Sequence, residues 1–205
     1  MTKTPLFITF EGCDGSGKTT QANMLHDYFL SINHNSYLTR EIGGTEVSEK
    51  IRGIVLFNDM NALTELMLSM AARNEHVLEV IKPKLQNSTH VISDRFVDST
   101  AVYRSISNKP LTHQYVYDLH TQFFGDLWPN LTFLLDVPSE MSNKRASMRE
   151  NQNKFDCLST EKYEDIRRGF LHSAKMYPSR FHIIDGSRSP DIIHKEIIQI
   201  VQQNI

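Results

Sequence analysis

Gly12-Cys13-Asp14-Gly15-Ser16-Gly17-Lys18-Thr19 fits the pattern G-x-x-x-x-G-K-[ST], and it lies between an apolar run, Leu6–Phe10, and a segment with helical periodicity. Glycines at these positions let the backbone turn tightly, so that successive N–H groups point inward at phosphate oxygens. The helix that follows adds the positive end of its dipole. Such a cradle binds phosphate with backbone alone. Lys18 is placed to reach the β- and γ-phosphates of a nucleotide, and the Thr19 hydroxyl to ligate Mg²⁺.

Beyond this loop, short apolar runs recur at Ser36–Thr39, His90–Ser93, Leu131–Asp136 and Phe181–Ile184, separated by helical patterns or turn residues. Strands alternating with helices build a parallel sheet with helices on both faces, an α/β arrangement of three layers around five strands. Helices are expected at Thr19–Ile32, Asn61–Gln86, Thr112–Phe124, Ser139–Met148, Thr160–Tyr177 and Pro190–Gln203. In the second of these, Leu63, Leu66, Met67, Met70, Val77, Leu78 and Ile81 are expected to face inward. Ligands of such folds bind at the carboxyl ends of the strands, and there Asp94 and Arg95 follow the strand His90–Ser93. Asp94 is suited to hold Mg²⁺ and Arg95 to grip an incoming phosphate.

With 205 residues, 40% hydrophobic and 22% charged, the chain is expected to form one soluble globular domain, 1–205. No apolar run approaches the roughly 20 residues that span a bilayer. A net charge of −2 with both signs interspersed argues against a broad grip on nucleic acid. Met1–Pro5 lacks the pattern of a secretion signal, and Cys13 and Cys157 are too few for a disulfide framework, so a reduced, cytoplasmic setting is expected. Arg149–Leu158 is polar and irregular, the candidate mobile loop. Asn153-Lys154-Phe155-Asp156 satisfies the guanine-reading N-K-x-D pattern, but it follows a polar stretch and is read as coincidence. The cradle alone leaves GTPases, ATPases and kinases of nucleotides or other small molecules open.

Several ordered strings narrow the choice: FEGCDGSGKTTQ at 10–21, TREIGGTE at 39–46, EKIRGIVL at 49–56, MAARNEHV at 70–77, VISDRFVDSTAVY at 91–103 and LTFLLDV at 131–137. Together they resemble thymidylate kinases of the bacterial type, over nearly the whole chain. The resemblance implies a P-loop NTPase fold and ATP- and Mg²⁺-dependent phosphorylation of thymidine monophosphate (dTMP) to the diphosphate, within the dTTP synthesis that supplies DNA replication. ATP would be held by Gly12 to Thr19. The dTMP site would comprise Asp14 at the sugar 3′-hydroxyl, Glu41, the phosphate-binding pair Arg52 and Arg95, Arg73 at the thymine edge, and Thr100 and Tyr103 around base and sugar. Lys18, Arg95, Arg145, Arg149 and Lys154 would act on the transferring phosphoryl group, the last three from a lid at about 145–158. Thr19 and Asp94 would hold Mg²⁺, adenine would rest near Asp185–Arg188, and a cytoplasmic homodimer is expected.

The chain departs from the family pattern at several positions. Ile42 replaces the proline of REPGG, and Ser69 stands where a phenylalanine usually stacks on thymine. Arg104 replaces a glutamine after Tyr103, and Lys154 a lid arginine.

Overall fold

The computed structural model describes residues 4–107, 111–148, 153–155 and 158–205. Its strands are β1 (Phe7–Glu11), β2 (Ser36–Arg40), β3 (His90–Asp94), β4 (Leu131–Asp136) and β5 (Phe181–Asp185). They pair in parallel in the order β2-β3-β1-β4-β5. Each expected apolar run is therefore a strand, within a residue of its expected bounds. The chain leaves β1 toward one edge of the sheet and reaches β4 and β5 on the other side only later. The order reverses beside β1, which opens a crevice at the carboxyl ends of β1 and β3. The register sets Phe10 of β1 opposite Asp94 of β3, so the loops after these strands start side by side.

Alternation along the strands divides the core. Ile8 and Phe10, with Phe133 and Leu135, pack against α1 (Lys18–Ser31) and α9 (Pro190–Gln202) through Leu25, Phe29, Ile193, Ile197 and Val201. Phe7 and Val91 face the opposite layer, where α3 (Ala62–His76), α5 (Val97–Ser107) and α6 (His113–Phe124) contribute Leu66, Val97, Ala101 and Val116. A third cluster joins Val102 and Leu134 to Ile166 and Phe170 of α8 (Thr160–Met176). Each fully buried side chain of this size contributes roughly 1.5–3 kcal/mol relative to exposure.

Two helices lie outside the expected set. One is α2 (Glu46–Phe57), which starts where the Thr45 side chain accepts from Ser48 N–H at 3.1 Å, with Glu46 and Glu49 near its positive end. The other is α5, whose start is fixed by a carboxylate 85 residues earlier in the chain: Phe96 N–H donates to Glu11 Oε1 at 2.7 Å. Local periodicity could not announce that cap. The expected helix Asn61–Gln86 runs as α3, a π-helical turn (Val77–Ile81) and α4 (Lys82–Gln86). Its inward set is corrected: Leu66, Met70, Val77 and Ile81 are buried, but Leu63, Met67 and Leu78 are exposed by 45%, 49% and 56%. Leu63 and Met67 lie within a turn of the buried Leu66 and Met70, so the apolar arc of α3 is wider than this chain covers. No described helix is long and apolar enough to cross a membrane.

Behind the crevice, Asp98 of α5 accepts from both terminal nitrogens of Arg180, at 2.8 and 2.7 Å, and from the Tyr117 hydroxyl at 2.7 Å. Arg180 also donates to Thr132 of β4 at 2.8 Å. This buried pair ties α5 and α6 to the sheet. Removing one partner leaves the other charge buried and unpaired, at a cost of about 3–5 kcal/mol. Asp98→Ala is therefore expected to lower the midpoint of thermal unfolding by roughly 6–20 °C, as read by calorimetry.

Candidate active site

The loop Gly12–Thr19 joins β1 to α1 through residues that only glycine suits. Gly12 has φ 136° and Gly15 has φ 80°. A Cβ on Gly12 would lie 2.7 Å from the Leu135 carbonyl oxygen, and one on Gly15 would lie 2.5 Å from that of Ser142. Gly15 thus lets α7 (Ser139–Ser147) pack directly on the loop, which brings Arg145 to its rim, where Nη1 donates to Gly15 O at 3.5 Å. Lys18 is buried, and its Nζ donates to Cys13 O at 2.6 Å and Ser16 Oγ at 3.4 Å. Burial, reinforced by the charge of Arg95, pulls its pKa down to about 8.

Thr19 and Asp94 stand together, with the Thr19 hydroxyl donating to Asp94 Oδ2. The other carboxylate oxygen, Oδ1, is buried and has no hydrogen-bond partner among the described residues. A hydroxyl beside a buried, unsatisfied carboxylate oxygen is a donor set that fits a hard, oxygen-seeking cation such as Mg²⁺.

Arg95 has φ 73°, in the left-handed region that costs a side-chain-bearing residue of order 1 kcal/mol or more. Its neighbours hold it there. Its N–H donates to Phe10 O at 2.9 Å, and its carbonyl accepts from Ser93 Oγ at 2.7 Å. The guanidinium donates to Asp14 Oδ1 at 2.8 Å, Ser99 Oγ at 2.9 Å and Gly12 O at 3.1 Å, and the Tyr103 hydroxyl closes the set by donating to Asp14 Oδ2 at 2.8 Å. Ser99 in turn donates to Glu11 Oε2 at 2.6 Å. Burial opposes the guanidinium charge, but Asp14, Tyr103 and Asp94 outweigh it and hold Arg95 well above its ordinary pKa. Glu11 goes the other way: burial, with the Asp98 charge added, pushes its carboxyl up to about 8.

A second cluster lies one layer deeper. Arg73 Nε donates to Glu41 Oε2 at 2.8 Å, Arg73 Nη2 donates to Thr100 Oγ1 at 2.8 Å, and its guanidinium lies 4.9 Å from the centre of the Phe96 ring. His76 shares the other oxygen of Glu41 at 3.0 Å and meets Thr39 Oγ1 at 2.7 Å. Burial works against ionisation of Glu41, yet Arg73 and His76 keep its pKa below the ordinary carboxylate value. Arg73 is 1% exposed and lines neither of the two cavities at this site; it donates to Glu41 and Thr100, which line the smaller one.

Two cavities meet at this site. The larger, about 410 Å³, runs along the loop from Asp14 to Gln21, with Arg145 on its rim, and ends at Gly186, Arg188, Pro190 and Ile193. The smaller, about 110 Å³, is lined by Val55, Leu56, Ser69, Phe96, Ser99, Thr100, Tyr103, Arg104 and Phe155 among others. Both are lined by Asp14, Glu41, Arg52 and Arg95. Arg52 reaches this junction from α2 and donates to Ile42 O at 2.7 Å.

The expected lid residues separate. Arg145 stays at the larger cavity and Arg149 lies outside the described residues, whereas Lys154 pairs with Glu65 and donates to Asn58 O at 3.0 Å, on the side of the smaller cavity. Glu65 also pairs with Arg104 of α5. Sequence reasoning missed Glu11, Ser99, Phe96, Glu65 and Phe155. Glu11 precedes the glycine loop and Ser99 lies four residues after Arg95, spacings that could have hinted at shared support. Phe155 gave no signal beyond being a lone aromatic in a polar stretch.

The thymidylate kinase family matches residues 10–197. The thymidylate kinase of Orientia tsutsugamushi (strain Ikeda) is 39% identical over 205 residues, covering 97% of this chain and 94% of its own. That of Ruegeria pomeroyi is 41% identical over 205 residues, covering 98% and 96%. The crystal structure of thymidylate kinase from Ehrlichia chaffeensis superposes with a TM-score of 0.77 at 35% identity, covering 97% of this chain and 98% of that one. With a glycine cradle, an arginine at the junction of two cavities and relatives this similar over nearly their full length, the chain belongs to the thymidylate kinase family and is a kinase.

Proposed function

We propose that this enzyme transfers the γ-phosphoryl group of ATP to thymidine monophosphate, forming thymidine diphosphate and ADP. One observation carries the reading: Asp14, Glu41, Arg52 and Arg95 line both cavities, so a nucleotide in each would meet phosphate to phosphate. The backbone of the loop and Lys18 receive the donor phosphates, while Gly186, Arg188 and Pro190 bound the far end suited to adenine. Arg95 and Arg52 grip the acceptor phosphate as planar forks and aim one of its oxygens at the γ-phosphorus. That oxygen is already ionised, so no general base is required. Asp14, held by Arg95 and Tyr103, orients the acceptor. When bound, Mg²⁺ neutralises charge on the donor phosphates, and Thr19 and the free oxygen of Asp94 are the groups placed to hold it. Phe96 and Phe155 give the smaller cavity its ring surface, which offsets the missing aromatic at Ser69.

ADP formation from ATP and Mg²⁺ should depend on an added monophosphate and favour thymidine monophosphate over deoxyuridine, deoxycytidine, adenosine and guanosine monophosphates. Arg95→Ala should lower kcat/KM for the acceptor by about a hundredfold, the equivalent of one or two lost hydrogen bonds to a charged group. ADP formation at the same rate without any acceptor would rule the reading out.

We also infer a homodimer, supported by the apolar side chains that α2 and α3 leave exposed: Val47, Ile54, Leu63 and Met67 are each 45–49% accessible, and the two helices pack against one another. A cytoplasmic setting fits the buried, unpaired thiol of Cys13. Sedimentation velocity should give twice the chain mass of 23.6 kDa for the wild type and a shift toward the monomer for Met67→Glu. A wild-type monomer at micromolar concentration would contradict the inference.

A further inference from the structure

Glu11, the last residue of β1, is fully buried and lines neither cavity, yet it is tied to the arginine that would grip the acceptor phosphate. Both of its carboxylate oxygens are engaged: Oε1 accepts from Phe96 N–H at 2.7 Å and Oε2 from the Ser99 hydroxyl at 2.6 Å. A hydroxyl has one proton to give, so a Ser99 that donates to Glu11 offers only lone pairs to its other neighbours. Arg95 Nη1 donates to that oxygen at 2.9 Å, while Arg95 Nη2 donates to Asp14 Oδ1 at 2.8 Å. The direction of the Ser99 hydroxyl is therefore set from behind, by a group outside both cavities.

This arrangement requires Glu11 as a carboxylate, which accepts at both oxygens and carries no proton of its own. A proton on Oε1 would confront Phe96 N–H, donor against donor. A proton on Oε2 would go to Ser99, and the Ser99 hydrogen would lose its acceptor beside a guanidinium that offers only donors. The charged groups acting on Glu11 are Asp98 of α5, Arg95 after β3 and Arg180, the partner of Asp98. Burial, and next the Asp98 charge, push the carboxyl up to about 8, while Ser99, Arg95 and Phe96 N–H pull it down. An acid raised in this way is largely neutral below that value and gains its ionised form as the pH rises through it.

We propose that Glu11 is a positioning residue for the acceptor phosphate: as a carboxylate it takes the Ser99 hydrogen bond, turns the Ser99 lone pairs to Arg95 Nη1, and so holds the guanidinium in its gripping pose. Binding of the acceptor is thereby linked to a proton on a group that the acceptor never touches. The proposal rests on Arg95 being the phosphate-binding residue of the thymidine monophosphate site.

The test measures Kd for thymidine monophosphate by titration calorimetry at pH 7 and pH 9, with a non-hydrolysable ATP analogue as control. The proteins are the wild type, Glu11→Gln, Ser99→Ala, the two combined, and Arg95→Ala. Over this range a group titrating at about 8 goes from about one-tenth to about nine-tenths ionised, so the wild type should bind the monophosphate up to about tenfold more tightly at pH 9. Repulsion between an ionised Glu11 and the bound phosphate acts the other way, as does loss of charge from Lys18, so tightening marks the hydrogen-bond route. Glutamine keeps the shape but sets an amide donor against either Phe96 N–H or Ser99. Glu11→Gln should therefore show no tightening and end about tenfold weaker than the wild type at pH 9, with affinity for the ATP analogue within about twofold. Because Ser99 carries the effect, adding Glu11→Gln to Ser99→Ala should change nothing further. A Glu11→Gln profile parallel to the wild type, or a loss that adds in full to that of Ser99→Ala, overturns the proposal. A wild type that does not bind thymidine monophosphate, or an Arg95→Ala that binds it undiminished, would instead remove the acceptor-site reading on which the proposal stands. Should Glu11→Gln fail to fold, Ser99→Ala decides alone: tightening between pH 7 and pH 9 that survives there overturns the proposal.

Discussion

The pairing of β1 with β3 is the constraint on which the rest of the site depends. With Phe10 set opposite Asp94, the glycine loop and the Asp94-Arg95 turn begin at the same level of the sheet. Thr19 then meets Asp94, and Asp14 meets Arg95, although each pair is separated by at least 75 residues of sequence. A slip of one residue would turn the β3 side chains to the opposite face and break both pairs. Both strands are buried along almost their whole length, which makes such a slip costly.

Two anionic substrates repel, and the protein answers with donors already fixed before either arrives. Backbone N–H groups of the glycine loop, Lys18 at the start of α1, Arg52 on α2 and Arg95 after β3 converge, so little reorganisation remains for the moment of transfer. Arg95 and the neighbouring Glu41 are braced from behind. Glu11, through Phe96 N–H and Ser99, sets the first turn of α5 and the place of the Arg95 guanidinium. Glu41 is held by Arg73 and His76, and it faces the junction of the cavities. The strained backbone of Arg95 belongs to the same arrangement: a residue at positive φ persists where its neighbours over-determine it.

Much of this was legible in the sequence. The glycine loop announces itself because its spacing follows from local geometry, and the five strands do so because their apolar runs are continuous. Thr19 could be placed from the loop pattern and Asp94 and Arg95 from their position at a strand end, whereas Asp14 was placed by family resemblance. What stayed hidden depends on contacts across the fold. The cap of α5 comes from Glu11, and Lys154, expected at the phosphates, is drawn to Glu65 on α3. Arg73 and Arg104 are both arginines on one face of the site, and only packing shows that the first is enclosed while the second borders the cavity. The exposure of Leu63 and Met67 was equally invisible, since an apolar stripe reads the same whether it meets its own core or another surface.

The most direct test of the account is a crystal structure with thymidine monophosphate, Mg²⁺ and a non-hydrolysable ATP analogue. The account predicts the monophosphate in the smaller cavity with its phosphate on Arg95 and Arg52, the analogue's terminal phosphate facing it across the junction, and the metal on Thr19 and Asp94. A monophosphate bound elsewhere, or lying with its base at Arg95 and its phosphate at the inner end, would contradict it.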